Sequence, residues 1–235
     1  YFTGQRFDIQ QITAAAHSAG AIAGFDLAHA IGNIELELHD WNVDFAAWCS
    51  YKYLNSGPGG VGGIFVHERH GERTDLPRFA GWWGNDEATR FEMKKGFRPA
   101  RGAEGWQISN AQVFQMAALK SSLTVFDKVE LSNLYTKRDE LTAYLKFLLD
   151  GIIGDFPNLP IRIITPDNLQ DRGCQLSLLV EKQGRDLYHY LVEKGVIVDW
   201  REPNVIRIAP VPLYNSFNDV YTLTTIIREY SAAQF

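Results

Sequence analysis

The apolar residues near the start of the chain recur with the period of a helix. From Ile9 onwards they are spaced three and four positions apart, with Asp8 in front as a good N-cap and Gly20 behind, where a helix would end. This spacing predicts one helix between Asp8 and Gly20.

Short apolar runs follow and predict an open α/β sheet. The runs 21–25 and 43–49 each end in polar residues, and a third run, 63–66, follows a glycine-rich turn. Continuous apolar runs of this length are typical of buried parallel strands, and we predict that all three are of this kind. Sheets of this class bind ligands beyond the carboxyl ends of their strands.

The pattern changes near the middle of the chain. Residues 76–109 break every period with repeated Gly and Trp, and a loop of this length is usually functional or interfacial. Helical spacing returns over 111–126 and 131–149. The rest predicts a smaller α+β domain that begins between residues 130 and 155. Its predicted strands are 161–164, 174–180, 197–200 and 205–208, and its predicted helices are 185–194 and 217–230.

Composition and charge narrow the class of protein. Of the 235 residues, 46% are hydrophobic and 22% are charged, close to the globular average. The net charge of −5 argues against a nucleic acid or an anionic membrane as partner. No run approaches the roughly 18 apolar residues of a membrane span. The only cysteines, Cys49 and Cys174, are too few for a disulfide framework, which favours a reducing, cytoplasmic environment.

The first residues suggest that the chain is part of a longer protein. Residue 1 is Tyr, the first methionine is Met93, and residues 1–5 are typical of a strand that runs into a turn. We therefore expect an N-terminal portion that precedes this sequence.

Two charged residues at strand ends are the first candidates for chemistry. Lys52 follows the second apolar run and precedes the glycine-rich segment 57–63, a position suited to a Schiff-base lysine. Asp26 ends the preceding run at the same sheet edge, where a buried carboxylate needs a cation such as the pyridinium nitrogen of pyridoxal phosphate (PLP). From the residues alone, a solvated lysine and a helix N-cap remain open alternatives.

A metal site is the competing interpretation of the same region. Asp26, His29, His39 and Asp40 lie close together in sequence, but their spacing is no recognised ligand pattern. It would also leave the glycine-rich segment unexplained. We therefore predict no metal, and a hydrogen-bonded core histidine is the plain alternative for His29.

Seven sequence blocks occur in order along nearly the whole chain. They are Thr3–Gln5, Gly24–Asn33, His39–Trp41, Trp48–Asn55, Gly81–Gly84, Thr89–Met93 and Arg207–Phe217. Together they resemble the fold-type I PLP enzymes of the class V aminotransferase group and, within that group, the kynureninases.

The resemblance implies a fold and a function. The fold is α/β and fold-type I PLP-dependent transferase-like, with residues 1–135 in a large PLP-binding domain of mostly parallel sheet and residues 136–235 in a small α+β domain. The implied function is PLP-dependent hydrolysis of L-kynurenine or 3-hydroxy-L-kynurenine to anthranilate or 3-hydroxyanthranilate and L-alanine. Tryptophan catabolism, NAD biosynthesis and a cytoplasmic homodimer with shared active sites are implied with it.

The resemblance also assigns roles to residues at the sheet edge. Lys52 matches the Schiff-base lysine, and Asp26 matches the carboxylate that pairs with the pyridine nitrogen. His29 and Tyr51 match cofactor-contacting positions. Tyr51, which stands where the wider group has a histidine, is also a candidate proton donor in catalysis.

Three further residues receive roles outside that edge. Trp82 and Asn110 match positions around the cofactor and substrate, partly across the dimer interface. Arg207 matches the arginine that binds the substrate α-carboxylate. From the residues alone, these three would be an exposed aromatic, the N-cap of the helix predicted from residue 111, and a solvated strand arginine.

The resemblance is incomplete in one respect, which keeps two alternatives open. The family binds the cofactor phosphate, and stacks a ring on the pyridine, with residues that would precede Tyr1, so we do not expect this chain alone to be active. One alternative is a cysteine desulfurase-like lyase, but Cys49 lies inside a predicted strand and Cys174 at a strand start, and neither position suits a mobile nucleophile. The other is an inactive, dimerising fragment.

Overall fold

The computed structural model describes residues 1–235, which form two compact units. One unit consists of residues 8–128, and the other combines residues 129–235 with residues 1–7. The division therefore falls a few residues before the predicted boundary at 135/136, and the first seven residues lie with the second unit.

The first unit contains three helices, three strands and two 3₁₀ turns. Helix α1 begins where the sequence predicts, because the Asp8 side chain accepts a hydrogen bond from the backbone N–H of Gln11. The elements are α1 Ile9–Ser18, β1 Gly24–Asp26, β2 Phe45–Cys49, β3 Gly62–Val66, α2 Glu68–Gly71 and α3 Val113–Phe126, with 3₁₀ turns at Arg90–Glu92 and Gly102–Trp106.

The three strands form one mixed sheet in the order β1-β2-β3. Strands β1 and β2 are parallel, whereas β3 runs antiparallel to β2, so the prediction of a third parallel strand is wrong. The reason is the connection. A parallel return needs a crossover, usually a helix, but residues 50–61 form a turn-rich loop in which Asn55, Gly57 and Gly59 all have positive φ.

One face of this sheet is packed and the other is open. Leu27, Val43 and Ala46 are buried and form the core with Ile9 of α1. On the opposite face Phe45 and Ile64 are about half exposed, at 50% and 47%. The strands are therefore buried on one side, rather than on both sides as continuous apolar runs suggest.

The second unit combines three helices with one sheet. Its four strands form an antiparallel sheet in the order β4-β5-β7-β6, packed against the helices through leucines and isoleucines that are almost fully buried. Every helix of the chain is too short or too polar to cross a membrane. The elements are α4 Leu131–Asp155, β4 Ile161–Ile163, β5 Leu176–Val180, α5 Gly184–Glu193, β6 Asp199–Arg201, β7 Val205–Ile208 and α6 Phe217–Gln234.

Backbone carbonyls tie the first residues of the chain to this second unit. The hydroxyl of Ser177 donates to the carbonyl of Phe2 at 2.7 Å, and that of Thr165 donates to the carbonyl of Thr3 at 2.5 Å. The N–H of Arg6 donates to the carbonyl of Asp171 at 2.7 Å. These hydrogen bonds explain why residues 1–7 do not group with the helix that follows them.

Candidate active site

A cavity of about 580 Å³ lies at the carboxyl ends of the two parallel strands. Asp26 ends β1, Cys49 ends β2, and Tyr51 and Lys52 follow two and three residues after Cys49. All four side chains line the cavity, together with Trp48. The structure thus brings three of the predicted site residues, Asp26, Tyr51 and Lys52, to one place.

Asp26 presents a carboxylate that the protein leaves largely unengaged. One of its oxygens accepts the backbone N–H of Ala28 at 2.8 Å, which fixes the side chain in a local turn. The next residue, Leu27, is buried and continues the strand pairing through its N–H to the carbonyl of Ala47 at 2.8 Å. The backbone is therefore anchored, while the other carboxylate oxygen remains open to a ligand.

Lys52 is held in place through its backbone. Its carbonyl accepts the N–H of Asn55 at 3.1 Å, and the carbonyl of Ser50 accepts the N–H of Ser56 at 3.2 Å. The hydroxyls of Ser50 and Ser56 are 2.6 Å apart inside this loop. The ammonium forms no ion pair and lies 6.0 Å from the ring centre of Tyr51. The loop thus fixes the backbone and leaves the amine available.

Tyr51 and Cys49 lie side by side on the cavity wall. The pKa of the Tyr51 phenol is raised, mainly by a hydrogen bond with the Cys49 thiol. The charge of Cys49, burial and the charge of Asp26 raise it further, in that order. The phenol therefore stays protonated at neutral pH and can donate a hydrogen bond or a proton. Half of the Tyr51 side chain is exposed, so a bound group can reach it.

Three predicted site residues lie away from this cavity. His29 lies in the turn after β1 and packs edge-on against Tyr53, with ring centres 6.4 Å apart. Trp82 is 42% exposed and packs edge-on against Phe91 at 5.7 Å. Asn110 is exposed and does not cap a helix, because α3 begins at Val113 rather than at residue 111.

Arg207 lies in the second unit, on β7, and its guanidinium is already engaged there. Nε donates to an oxygen of Asp199 at 2.6 Å, Nη2 lies 2.5 Å from the same oxygen in an ion pair, and Nη1 donates to the carbonyl of Tyr1 at 2.9 Å. Only 9% of its side chain is exposed. Arg207 is thus a buried, paired arginine rather than a solvated one.

A second polar cluster surrounds Asp44, whose side chain is only 5% exposed. His17 lies 2.8 Å from one carboxylate oxygen, and His70 and Arg69 lie 2.6 and 2.5 Å from the other. The N–H of Ala23 donates to the oxygen that faces His17, at 2.7 Å. Burial alone would raise the pKa of Asp44, but these hydrogen bonds outweigh burial and hold the pKa well below its usual range.

Sequence reasoning missed the partners of both engaged groups. The residues around Asp44 are 21 to 27 positions away from it, and no sequence pattern links them. Asp199 left a weak signal, since it lies on the short predicted strand 197–200, which can pair with the strand of Arg207. The residues described contain no group of three or more metal-ligating side chains.

Comparison with known proteins identifies the relatives of this chain. Residues 134–227 match the family described as Kynureninase C-terminal domain. The chain is 56% identical to the kynureninase of Flavobacterium johnsoniae and 54% identical to that of Flavobacterium psychrophilum, in each case over 229 residues and 97% of this chain. Each alignment covers 54% of the relative, so the chain spans about half the length of the curated relatives it matches. The predicted resemblance is confirmed.

Solved structures identify the fold. A cysteine desulfurase from Thermococcus onnurineus superposes with a TM-score of 0.80 at 18% identity, covering 99% of this chain and 58% of that one. A variant of C-DES, solved with glycine covalently linked to its PLP cofactor, superposes with a TM-score of 0.78 at 18% identity, covering 97% of this chain and 58% of that one. The chain therefore has the α/β fold of fold-type I PLP enzymes, as predicted.

Proposed function

We propose that this chain is the carboxyl-terminal part of a PLP-dependent kynureninase. The reaction is the hydrolysis of L-kynurenine or 3-hydroxy-L-kynurenine to anthranilate or 3-hydroxyanthranilate and L-alanine. The observation that carries the proposal is the cavity shared by Asp26, Tyr51 and Lys52, in a chain whose relatives over 97% of its length are kynureninases.

The residues of the cavity fit PLP. The cofactor needs an amine for its aldehyde and a carboxylate for its pyridine nitrogen, and Lys52 and Asp26 supply both without being engaged in ion pairs. Gly24, Ala28 and Ala47 also line the cavity, and because they carry only a methyl group or no side chain, they leave room for a flat ring. Bound there, PLP would serve as an electron sink for carbanions formed on the substrate.

Each charged residue of the cavity has one task in this reaction. Lys52 would hold the cofactor through its amine, and the free amine would act as the general base that takes the proton from the substrate Cα and later returns a proton there. Asp26 keeps the proton on the ring nitrogen by opposing its positive charge. Neither task requires the other residue to move, because separate backbone hydrogen bonds anchor the two.

The remaining steps add water and move protons. Water adds to the γ-carbonyl, the Cβ–Cγ bond breaks, the carbonyl carbon leaves as the carboxylate of anthranilate, and Cβ takes up a proton to become the methyl group of L-alanine. The Tyr51 phenol, which stays protonated because its pKa is raised, is the proton donor we assign to these later steps. Arg207 binds the α-carboxylate of the substrate.

A cytoplasmic homodimer with shared active sites belongs to the same proposal. Trp82 is exposed and Asn110 lies on the surface, and neither lines the cavity of its own chain. Exposed residues of this kind are available to a second copy. Neither Cys49 nor Cys174 forms a disulfide, as a reducing compartment favours. His29 is proposed to contact the cofactor from the turn after β1.

A turnover assay in the full-length protein tests the proposed function. With PLP bound, the protein is expected to convert L-kynurenine into fluorescent anthranilate, and Lys52→Ala is expected to lower kcat about 10⁴-fold. Lys120→Ala, at an exposed lysine of the same unit, serves as the matched control and should leave kcat unchanged. A protein that binds PLP but leaves both L-kynurenine and 3-hydroxy-L-kynurenine intact would contradict the proposal.

The cysteine desulfurase alternative has little support from the thiols. Cys174 is buried, and burial raises its pKa to about 12, so it carries no thiolate at neutral pH. Cys49 lines the cavity but is fixed in the sheet, where it pairs with Gly62 of β3. A desulfurase nucleophile must travel to the substrate, and neither thiol lies on a segment that could carry it.

A further inference from the structure

Arg207 is held by a carboxylate of its own chain, and the way it is held leaves a defined part of its guanidinium available. We infer that Asp199 is a positioning residue that turns the terminal edge of Arg207 towards the carboxylate of the substrate. This inference rests on the proposed function, because it concerns how the same substrate is bound.

The register of the sheet places the two residues together. Asp199 of β6 lies directly opposite Arg207 of β7, and Ser177 of β5 lies opposite Arg207 on its other side. Side chains at directly opposed positions of antiparallel strands project from the same face of the sheet. Asp199 therefore meets Arg207 because of the strand pairing itself, and no loop has to order for the contact to form.

The hydrogen bonds divide the guanidinium into two parts. Of the five N–H donors of an arginine, Nε donates to Asp199 and one N–H of Nη1 donates to the carbonyl of Tyr1, while Nη2 forms an ion pair with the same oxygen of Asp199. One N–H remains on each of Nη1 and Nη2. Two such donors are what a carboxylate needs for a bidentate contact.

Charge leads to the same conclusion. Asp199 also lies 3.1 Å from Nε of Arg201, so one carboxylate faces two arginines and the cluster carries one surplus positive charge. Arg207 is 9% exposed while Asp199 is 44% exposed. A buried guanidinium would be costly without a partner. Asp199 keeps it stable and oriented in the free protein, and the surplus charge is left for an incoming carboxylate.

The experiment compares ligands that differ only in the carboxylate. In the full-length enzyme with PLP bound, Asp199→Ala is expected to raise KM for L-kynurenine about tenfold and to leave kcat within about twofold. Glu202→Gln, which removes the carboxylate of the exposed Arg185–Glu202 ion pair nearby, should change neither. Calorimetric titration adds a readout independent of turnover. The variant is expected to weaken L-alanine binding about tenfold and to leave binding of ethylamine, which lacks the carboxylate, unchanged.

The outcomes separate this inference from the proposed function. The positioning role would be overturned, while kynureninase activity stands, if Asp199→Ala left KM unchanged. The same conclusion would follow if Asp199→Ala weakened the binding of L-alanine and of ethylamine equally. If the parent protein cleaves neither L-kynurenine nor 3-hydroxy-L-kynurenine, but Asp199→Ala selectively weakens L-alanine binding, only the proposed function falls. If the parent protein binds no L-alanine at all, the inference falls as well.

Discussion

Two aspartates of the first unit have opposite surroundings. Asp44 is buried and accepts hydrogen bonds from His17, His70, Arg69 and a backbone amide. Asp26 is exposed and accepts one backbone N–H. The first carboxylate has its hydrogen-bonding capacity used by the fold, whereas the second has capacity left for a ligand. The difference separates a charge that stabilises the fold from a charge that is available for chemistry.

Removing the charge of Asp26 should affect the reaction far more than the fold. Asp26→Asn is expected to lower kcat about 10³-fold, because a neutral amide cannot hold the proton on the ring nitrogen. The free energy of unfolding should change by less than about 0.5 kcal/mol, as is usual for exposed positions. Steady-state kinetics and urea denaturation of the full-length protein measure the two effects. A large loss of stability would remove the contrast with Asp44.

The same substitution at Asp44 should have the reverse effect. Asp44→Asn leaves Arg69 and two histidines around a neutral amide, and breaking a buried ion pair costs about 3 kcal/mol or more. Urea denaturation is expected to show this loss, while the KM of the remaining folded enzyme stays within about twofold. Equal stability of the variant and its parent would show that the cluster does not hold the fold together.

Tyr51 sharpens the comparison, because it contributes to the cavity without contributing to the core. Tyr51→Phe removes the hydroxyl whose raised pKa keeps it protonated, and a lost proton donor is expected to lower kcat about 100-fold. Tyr221→Phe, at a half-exposed tyrosine of α6, is the matched control. If Tyr51→Phe retained full kcat, the phenol would be only part of the cavity wall.

Lowering the pH should also reveal the stabilising role of Asp44, with a smaller loss of stability than the Asp44→Asn substitution causes. Because the pKa of Asp44 is lowered in the folded protein, its contribution is fully present above its unfolded pKa of about 3.9 and is lost as the pH falls towards the folded value. Between about pH 7 and about pH 3 the parent is expected to lose roughly 1 kcal/mol more than Asp44→Asn. A constant difference between the two proteins across this range would contradict the assignment.

Local rules predicted much of the fold from the sequence. The cap at Asp8, the helical spacing behind it and the strands of the second unit all appear within a few residues of where the sequence indicates. The direction of β3 was missed because it depends on the path of residues 50–61, which a period of apolar residues does not describe. Pairing direction is a property of the connection rather than of the strand.

The candidate site also has features that the sequence could predict and features that it could not. Asp26 and Lys52 could be predicted because Asp26 ends β1, Lys52 comes three residues after β2, and the carboxyl ends of adjacent parallel strands meet at one edge. The partners of Asp44 and the carboxylate beside Arg207 could not, since they depend on which side chains the tertiary fold brings within hydrogen-bond distance. The roles of His29, Trp82 and Asn110 rest on the resemblance and stay predictions.

The most direct test of the central claim is to locate the cofactor on the chain. The full-length protein with PLP bound would be reduced with borohydride and digested, and the modified peptide would be identified by mass. We expect the cofactor to be fixed to the peptide that contains Lys52. Cofactor attached to a different lysine, in a protein that retains PLP, would contradict the assignment of the cavity at Asp26 and Lys52 as the cofactor site.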